Sequence, residues 1–225
     1  INTFNEIHNV QAFAAYEQNE YEGESFEAFR RYFLSSQLPY LFAGGDSEKD
    51  NDESAEIDAQ VNYFGRLRYN YNQTYYLQFS FRRDGSLRFS EESGRWGNFP
   101  SVLVGYRPSQ QEWWQNSLGF INNFKLRFTW GQMGNDRVDP FQYLTSYGFS
   151  TGYTLGSSKI YSSSLSQTSV PNPNITWEVS NMYNFGWDAY LFNNKVGFET
   201  DLFYERRNNI LVKRNVSVPR FTGMS

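Results

Sequence analysis

The sequence contains no cysteine and a single histidine, His8. The first absence excludes disulfides, thiolate metal sites and a cysteine nucleophile together. A lone histidine in the weakest strand pattern leaves a Ser-His relay without support. Neither a G-x-G-x-x-G loop nor a P-loop lysine pattern is present. Carboxylate neighbours such as Glu91 and Glu92 lie in a polar loop, away from any apolar pocket that would shift their titration. The chain therefore does not read as an enzyme, and no cofactor is expected. It also lacks an apolar run of about 18 residues, the length a membrane-crossing helix needs. Basic excess is missing too: the net charge is -4, which gives no reason to expect a nucleic-acid partner. No signal-peptide pattern precedes the first residue, Ile1, so the sequence reads as a piece of a longer chain.

What the sequence has in plenty is aromatics, 20% of residues with 21 Phe and 17 Tyr. Their spacing is informative. In 63–83, YFGRLRYNYNQTYYLQFSFRR, Tyr63, Leu67, Tyr69 and Tyr71 alternate with Phe64, Arg66, Arg68 and Asn70. After the polar pair Asn72-Gln73, Tyr75, Leu77, Phe79 and Phe81 alternate with Tyr76, Gln78, Ser80 and Arg82. Successive strand residues point to opposite faces, so this is a hairpin with one oily and one wet face. It fits half of a soluble sandwich or a slice of a membrane barrel. A mean hydropathy of -0.67 does not decide between them, because alternating barrel strands carry a weak hydropathy signal.

The same test finds strands at 99–107, 124–133, 180–192 and 196–205, and a weaker one at 7–16 with His8, Val10, Ala12, Ala14 and Tyr16 on one face. That makes about seven antiparallel strands. Most reach the roughly 9 to 11 residues that an oblique bilayer crossing requires. Connections at 72–74, 108–122 and 193–195 are short or intermediate, and those at 17–60, 84–98 and 134–179 are long. The strict alternation predicts periplasmic turns and extracellular loops of an outer-membrane barrel.

Within the loops, Ser25 with Glu27 opens a helical pattern over 25–34. The acidic stretch 44–58 reads as solvated loop, because from Asp50 the calcium-loop glycine and glutamate positions hold Ala55 and Val61. Asp84-Gly85 reads as an architectural turn. Residues 148–170 are too polar for a core and are expected over the barrel mouth. Trp113 and Trp114 are expected at the periplasmic rim as interfacial belt residues. Tyr147, Tyr153, Tyr161 and Trp177 are candidates for stacking on a sugar ring.

YFGRLRYNY (63–71), RRDGSLRF (82–89), RWGNFPSVLVGYR (95–107), LRFTWGQMGN (126–135), NPNITWE (172–178) and LFNNKVGFETDLFYERRNNILV (191–212) resemble, in order and spacing, the SusC/RagA family of TonB-dependent outer-membrane transporters. The resemblance implies an all-β fold, an antiparallel transmembrane β-barrel segment belonging to a plugged barrel of roughly 22 strands. It further implies localisation in the bacterial outer membrane and import of oligosaccharides or peptides beneath a SusD-like surface lipoprotein, driven by TonB through a plug domain. The chain would be the later part of such a barrel, without the plug and the closing strands, surrounded by outer-membrane lipid.

On this reading Arg66, Arg68, Arg82, Lys125 and Arg127 form a basic wall facing the lumen. Asp188, Glu199, Asp201 and Glu205 form an acidic one, and the two hold the plug through charge-assisted hydrogen bonds. The rivals are a soluble β-sandwich of carbohydrate-binding or adhesin type and a passive porin.

Overall fold

The structure is a computed structural model that describes residues 2–4, 7–92, 94–155 and 160–212. Ten strands follow one another: β1 (Asn2–Phe4), β2 (His8–Arg30), β3 (Lys49–Tyr71), β4 (Tyr75–Ser86), β5 (Trp96–Tyr106), β6 (Ile121–Asn135), β7 (Tyr147–Leu155), β8 (Ile160–Gln167), β9 (Glu178–Leu191) and β10 (Val196–Asn208). One helix, α1 (Glu112–Leu118), lies between β5 and β6. The chain divides into two compact units, residues 1–17 with 61–225, and residues 18–60.

In the first unit the strands follow the order β1-β2-β3-β4-β5-β6-β9-β10, and β7 pairs with β8 as a separate ribbon. The seven strands expected from alternation are all in this sheet, joined by the three-residue β1. The register makes the two faces explicit. Phe79 lies opposite Val102, Val102 opposite Trp130, Trp130 opposite Tyr183 and Tyr183 opposite Tyr204, so one apolar row crosses five strands. Leu77, Val104, Phe128, Phe185 and Leu202 form the next row. Phe79 and Phe128 are each 47% exposed, and among the described residues no second sheet covers them. A sandwich would bury these rings between layers, so the sandwich expectation fails.

The turns follow from local chemistry. Asn72 and Gln73 both have positive φ (47° and 49°), the requirement of a two-residue type I′ hairpin whose twist matches its strands. Asn193 and Asn194 repeat the left-handed geometry at 58° and 64°. Asn122 fastens that turn from the start of β6, its Oδ1 accepting from the Asn193 backbone N–H at 2.6 Å.

The connection after β5 is pinned by Trp114, which stacks on Phe124 at 5.0 Å and donates from Nε1 to the Ile121 carbonyl at 3.2 Å. Trp114 is thus a buried anchor, while Trp113 stays exposed.

The long loops share a small core of their own. Phe89, Phe99, Ile175 and Trp177 pack together, with Trp177 5.3 Å from Phe89 and 5.4 Å from Phe99 between ring centroids. The Trp177 indole N–H donates to the Arg95 carbonyl at 3.3 Å. Each of RRDGSLRF, RWGNFP and NPNITWE supplies a member, so these motifs knit the 84–98 and 134–179 connections together.

Several expectations change. Asp84 and Gly85 lie inside β4, paired with Gly97 and Trp96, and the chain turns only after Ser86. In the second unit, the helix expected over 25–34 is strand as far as Arg30, and the acidic stretch from Lys49 onward is strand β3. Glu20, Glu22 and Glu24 alternate with Tyr21, Gly23 and Ser25, a period of two that cross-strand pairing rewards over a local helix-start signal. The hairpin closes where Arg30 donates to the Gly44 carbonyl at 3.1 Å and Arg31 pairs with Glu48 at 3.2 Å.

Candidate functional site on the polar face

All nine residues singled out from sequence for the lumen lie on one face of the sheet. Arg82 faces Phe99 on β5, and Tyr76, Gly105, Arg127, Gly186 and Asp201 form one polar-face row across β4, β5, β6, β9 and β10. Lys125 stands opposite Asp188, and Asp188 opposite Glu199. The expected basic and acidic walls are therefore neighbours in one sheet, and much of their charge is settled between them.

Arg127 is the centre of that settlement. Its Nη2 donates to Asp188 Oδ1 at 2.8 Å and reaches Asp201 Oδ2 at 3.4 Å. The guanidinium passes over Gly186, where a Cβ would meet both the Asp201 carboxylate and the arginine. Asn184 Nδ2 donates to the other Asp201 oxygen at 3.2 Å.

Nearer the loops, Arg207 Nε donates to Glu205 Oε1 at 2.7 Å, and Ser180 donates its hydroxyl to the same oxygen at 2.7 Å. Glu199 accepts from the Tyr190 hydroxyl. Arg82 Nε binds the buried Asp84 carboxylate at 2.6 Å while its guanidinium lies over Phe64. Close, charge-assisted contacts of this kind hold side chains in place more firmly than solvated pairs do.

Arg66, Arg68 and Lys125 differ. Among the described residues no carboxylate lies at ion-pair distance from any of them, and each is held by a neutral group. Arg66 covers the Phe13 ring, Arg68 Nε donates to Gln78 Oε1 at 2.7 Å, and Lys125 Nζ stands 4.9 Å from the Tyr76 ring centre. Two hollows of about 190 and 320 Å³ lie beside them. Sequence reading passed over Phe13, Phe64, Tyr76 and Gln78. The available signal was an aromatic ring standing on the polar side of an otherwise clean alternation.

The loop candidates separate. Trp177 is only 6% exposed, built into the loop core, so it offers no face to a sugar; this corrects the stacking expectation. Tyr147 is 63% exposed on β7. Tyr153 and Tyr161 lie on β7 and β8, and their side chains fall outside the described residues. His8 shares a 2.8 Å hydrogen bond with the Tyr69 hydroxyl and adjoins the Tyr71 ring, a structural contact between strands.

The family model for the TonB dependent receptor-like β-barrel matches residues 2–223. TonB-dependent receptor P39 of Formosa agariphila is 29% identical over 99% of this chain, which corresponds to 21% of that receptor. TonB-dependent receptor SusC of Bacteroides thetaiotaomicron is 31% identical over 93% of this chain and 20% of its own length. A solved structure of the RagAB peptide transporter superposes with a TM-score of 0.84 at 26% identity, covering 99% of this chain and 24% of that one. The chain thus spans about a fifth of the curated relatives it matches. Receptors of this kind are outer-membrane transporters, and the antiparallel sheet described above is a segment of such a transmembrane barrel. This chain belongs to the TonB-dependent receptor β-barrel family, in its SusC/RagA-like branch, a family of the bacterial outer membrane.

Proposed function

We propose that this chain forms wall and external loops of a receptor that imports nutrients across the outer membrane, with its apolar face in lipid and its polar face toward the lumen. The observation that carries the reading is the spacing of two aromatic girdles on the apolar face. Tyr75 stacks on Tyr106 at 5.2 Å and adjoins Tyr71 at one end. At the other, Trp96 lies opposite Gly85, with Tyr63 at 6.1 Å and Arg83 5.0 Å above its ring. Tyr75 to Gly85 is ten residue steps along β4, about 33 Å along a strand. A tilt of about 40° brings this to ~25 Å, the height of a barrel's apolar band.

The remaining parts are proposed on the strength of the resemblance. TonB pulls on a plug domain inside the barrel, a SusD-like lipoprotein covers the external loops, and the cargo is an oligosaccharide or a peptide. The polar-face charges other than Arg66, Arg68 and Lys125 hold the plug. Both cargo classes have support, since the resemblance favours glycans and a structural relative is a peptide transporter.

Deleting the encoding gene in its native bacterium tests import directly. Growth on one polymer class, glycan or peptide, should be lost while growth on its monomers persists, and deleting the energising TonB system should reproduce the loss. Undiminished growth on every polymer would sink the reading.

A further inference from the structure

We infer that Arg66, Arg68 and Lys125 form a binding site for the carboxylate groups of an acidic solute moving along the polar face. The inference rests on the import reading in one respect, that this face lines the path. Its chemistry is the contrast between two halves of the same face. On β6, β9 and β10 the cations are neutralised within the sheet: Arg127 by Asp188 and Asp201, Arg207 by Glu205 and Glu178. Across β3 and the start of β6, among the described residues, three cations stand without a carboxylate at ion-pair distance.

Lys125 shows that this is built in. It faces Asp188 directly in the β6/β9 register, yet Asp188 is taken by Arg127 at 2.8 Å. Lys125 turns instead across β5, where Gly105 offers no side chain, and lies over Tyr76. A Cβ at position 105 would stand 3.2 Å from the Tyr76 Cβ and 3.5 Å from its ring. Arg127 therefore keeps Lys125 free by occupying its natural partner.

The neutral groups that hold the three cations explain why the site suits a transient ligand. A ring face and an amide oxygen steady a cation without cancelling its charge. The cations need no resident anion, and an arriving carboxylate gains charge-assisted hydrogen bonds that neutral cargo cannot make. The hollow of about 320 Å³ between Arg68, Tyr76, Gln78 and Lys125 has room for a carboxylate and its stem. Because the site is on the wall, its grip is shallow, which a path that must release its cargo requires.

The test uses the full-length receptor purified in detergent, with C-terminally amidated tetraglutamate bearing an uncharged BODIPY label as the acidic probe, the same amidated and labelled tetraglutamine as its neutral counterpart, and anisotropy at low salt as the readout. Arg68→Gln with Lys125→Gln should weaken tetraglutamate binding about tenfold and leave tetraglutamine unchanged. Arg66→Gln alone, at an exposed position, should weaken it less and guards against a folding failure of the pair. Arg127→Gln, which touches none of the three cations, should also weaken tetraglutamate by releasing Asp188 onto Lys125, and adding Asp188→Asn should restore it. Equal tetraglutamate affinity in wild type and the Arg68/Lys125 variant overturns the proposal. So does an Arg68/Lys125 variant whose plug becomes protease-sensitive while probe binding is unchanged, since the cations would then serve the plug. Binding is read at equilibrium, so a receptor that binds the probe but fails to import contradicts the import reading and leaves this site standing.

Discussion

Arg127 holds Asp188 at 2.8 Å on the strand beside its own, and the same guanidinium nitrogen reaches one strand further to Asp201. One side chain thus ties β6, β9 and β10 together on the face where no hydrophobic layer does so. Arg127→Ala would break the pairs with Asp188 and Asp201 and leave Asp188 only Lys125, its partner in the β6/β9 register, at a cost of about 1–3 kcal/mol. Removing both partners should cost less than the two single changes added together, since they share one interaction. Urea titration of the folded receptor in micelles, run as a double-mutant cycle, measures the coupling; strict additivity would show that the pair contributes nothing. Gly186→Val should lower stability as well, because its side chain enters the space the ion pair occupies.

Trp177 gives a second prediction. It joins two connections that are distant in sequence, so Trp177→Ala should cost about 3–5 kcal/mol and expose both 87–95 and 136–146 to protease at once. Trp177→Phe keeps ring packing but loses the hydrogen bond to Arg95, and should cost about 1 kcal/mol. Cargo binding should be indifferent to the phenylalanine variant, in contrast to the sequence-based expectation of a stacking platform. Limited proteolysis with mapped cleavage sites separates the outcomes, since cleavage confined to one connection would mean that the loop core is not shared.

The misreadings at Trp177 and at 25–34 share a cause. Alternation is a property of neighbouring residues, so the two faces of β4, β6 and β9 and the turns at Asn72 and Asn193 were legible from 63–83, 124–133 and 180–205 alone. Trp177 is buried by Phe89 and Phe99, whose approach depends on how two long connections fold back, and no local period encodes that. At 25–34 the local signal was real but weak, and pairing along a strand of 23 residues outweighs one helical start. The charged residues share one face of the sheet, and their partners were not legible, because strand order decides whether Arg127 meets Asp188 or opposes it across a lumen.

Gln73 is poorly suited to its turn. Its φ of 49° places a residue with a long side chain in the left-handed region, at about 1 kcal/mol relative to glycine. Its carbonyl, which accepts from the Tyr76 hydroxyl at 2.7 Å, belongs to the backbone and survives substitution. Gln73→Gly should therefore stabilise the β3/β4 hairpin by up to about 1 kcal/mol, whereas Asn193→Val, β-branched at a φ of 58°, should destabilise the β9/β10 hairpin by at least as much. Thermal loss of heat-modifiable gel mobility ranks the variants, and a rank order with Gln73→Gly below wild type would contradict the argument.

The sharpest test of orientation uses adjacent residues of one strand. Phe79 lies midway between the girdles on the apolar face, and Ser80, its neighbour, lies on the polar face opposite Ser101. An arginine at position 79 must bring its guanidinium into hydrocarbon, a cost of about 2–4 kcal/mol near the bilayer midplane. At position 80 the same side chain enters the polar face beside Gln78, where water and acceptor groups are at hand, and the change should stay within about 1 kcal/mol. The two substitutions alter the sequence by the same charge one residue apart, so strand propensity cannot account for a large difference between them. Folding of Phe79→Arg and Ser80→Arg receptors into lipid vesicles, followed by urea-dependent tryptophan fluorescence, gives both numbers. Equal costs would mean that β4 does not separate lipid from water, and a larger cost at Ser80 would invert the barrel.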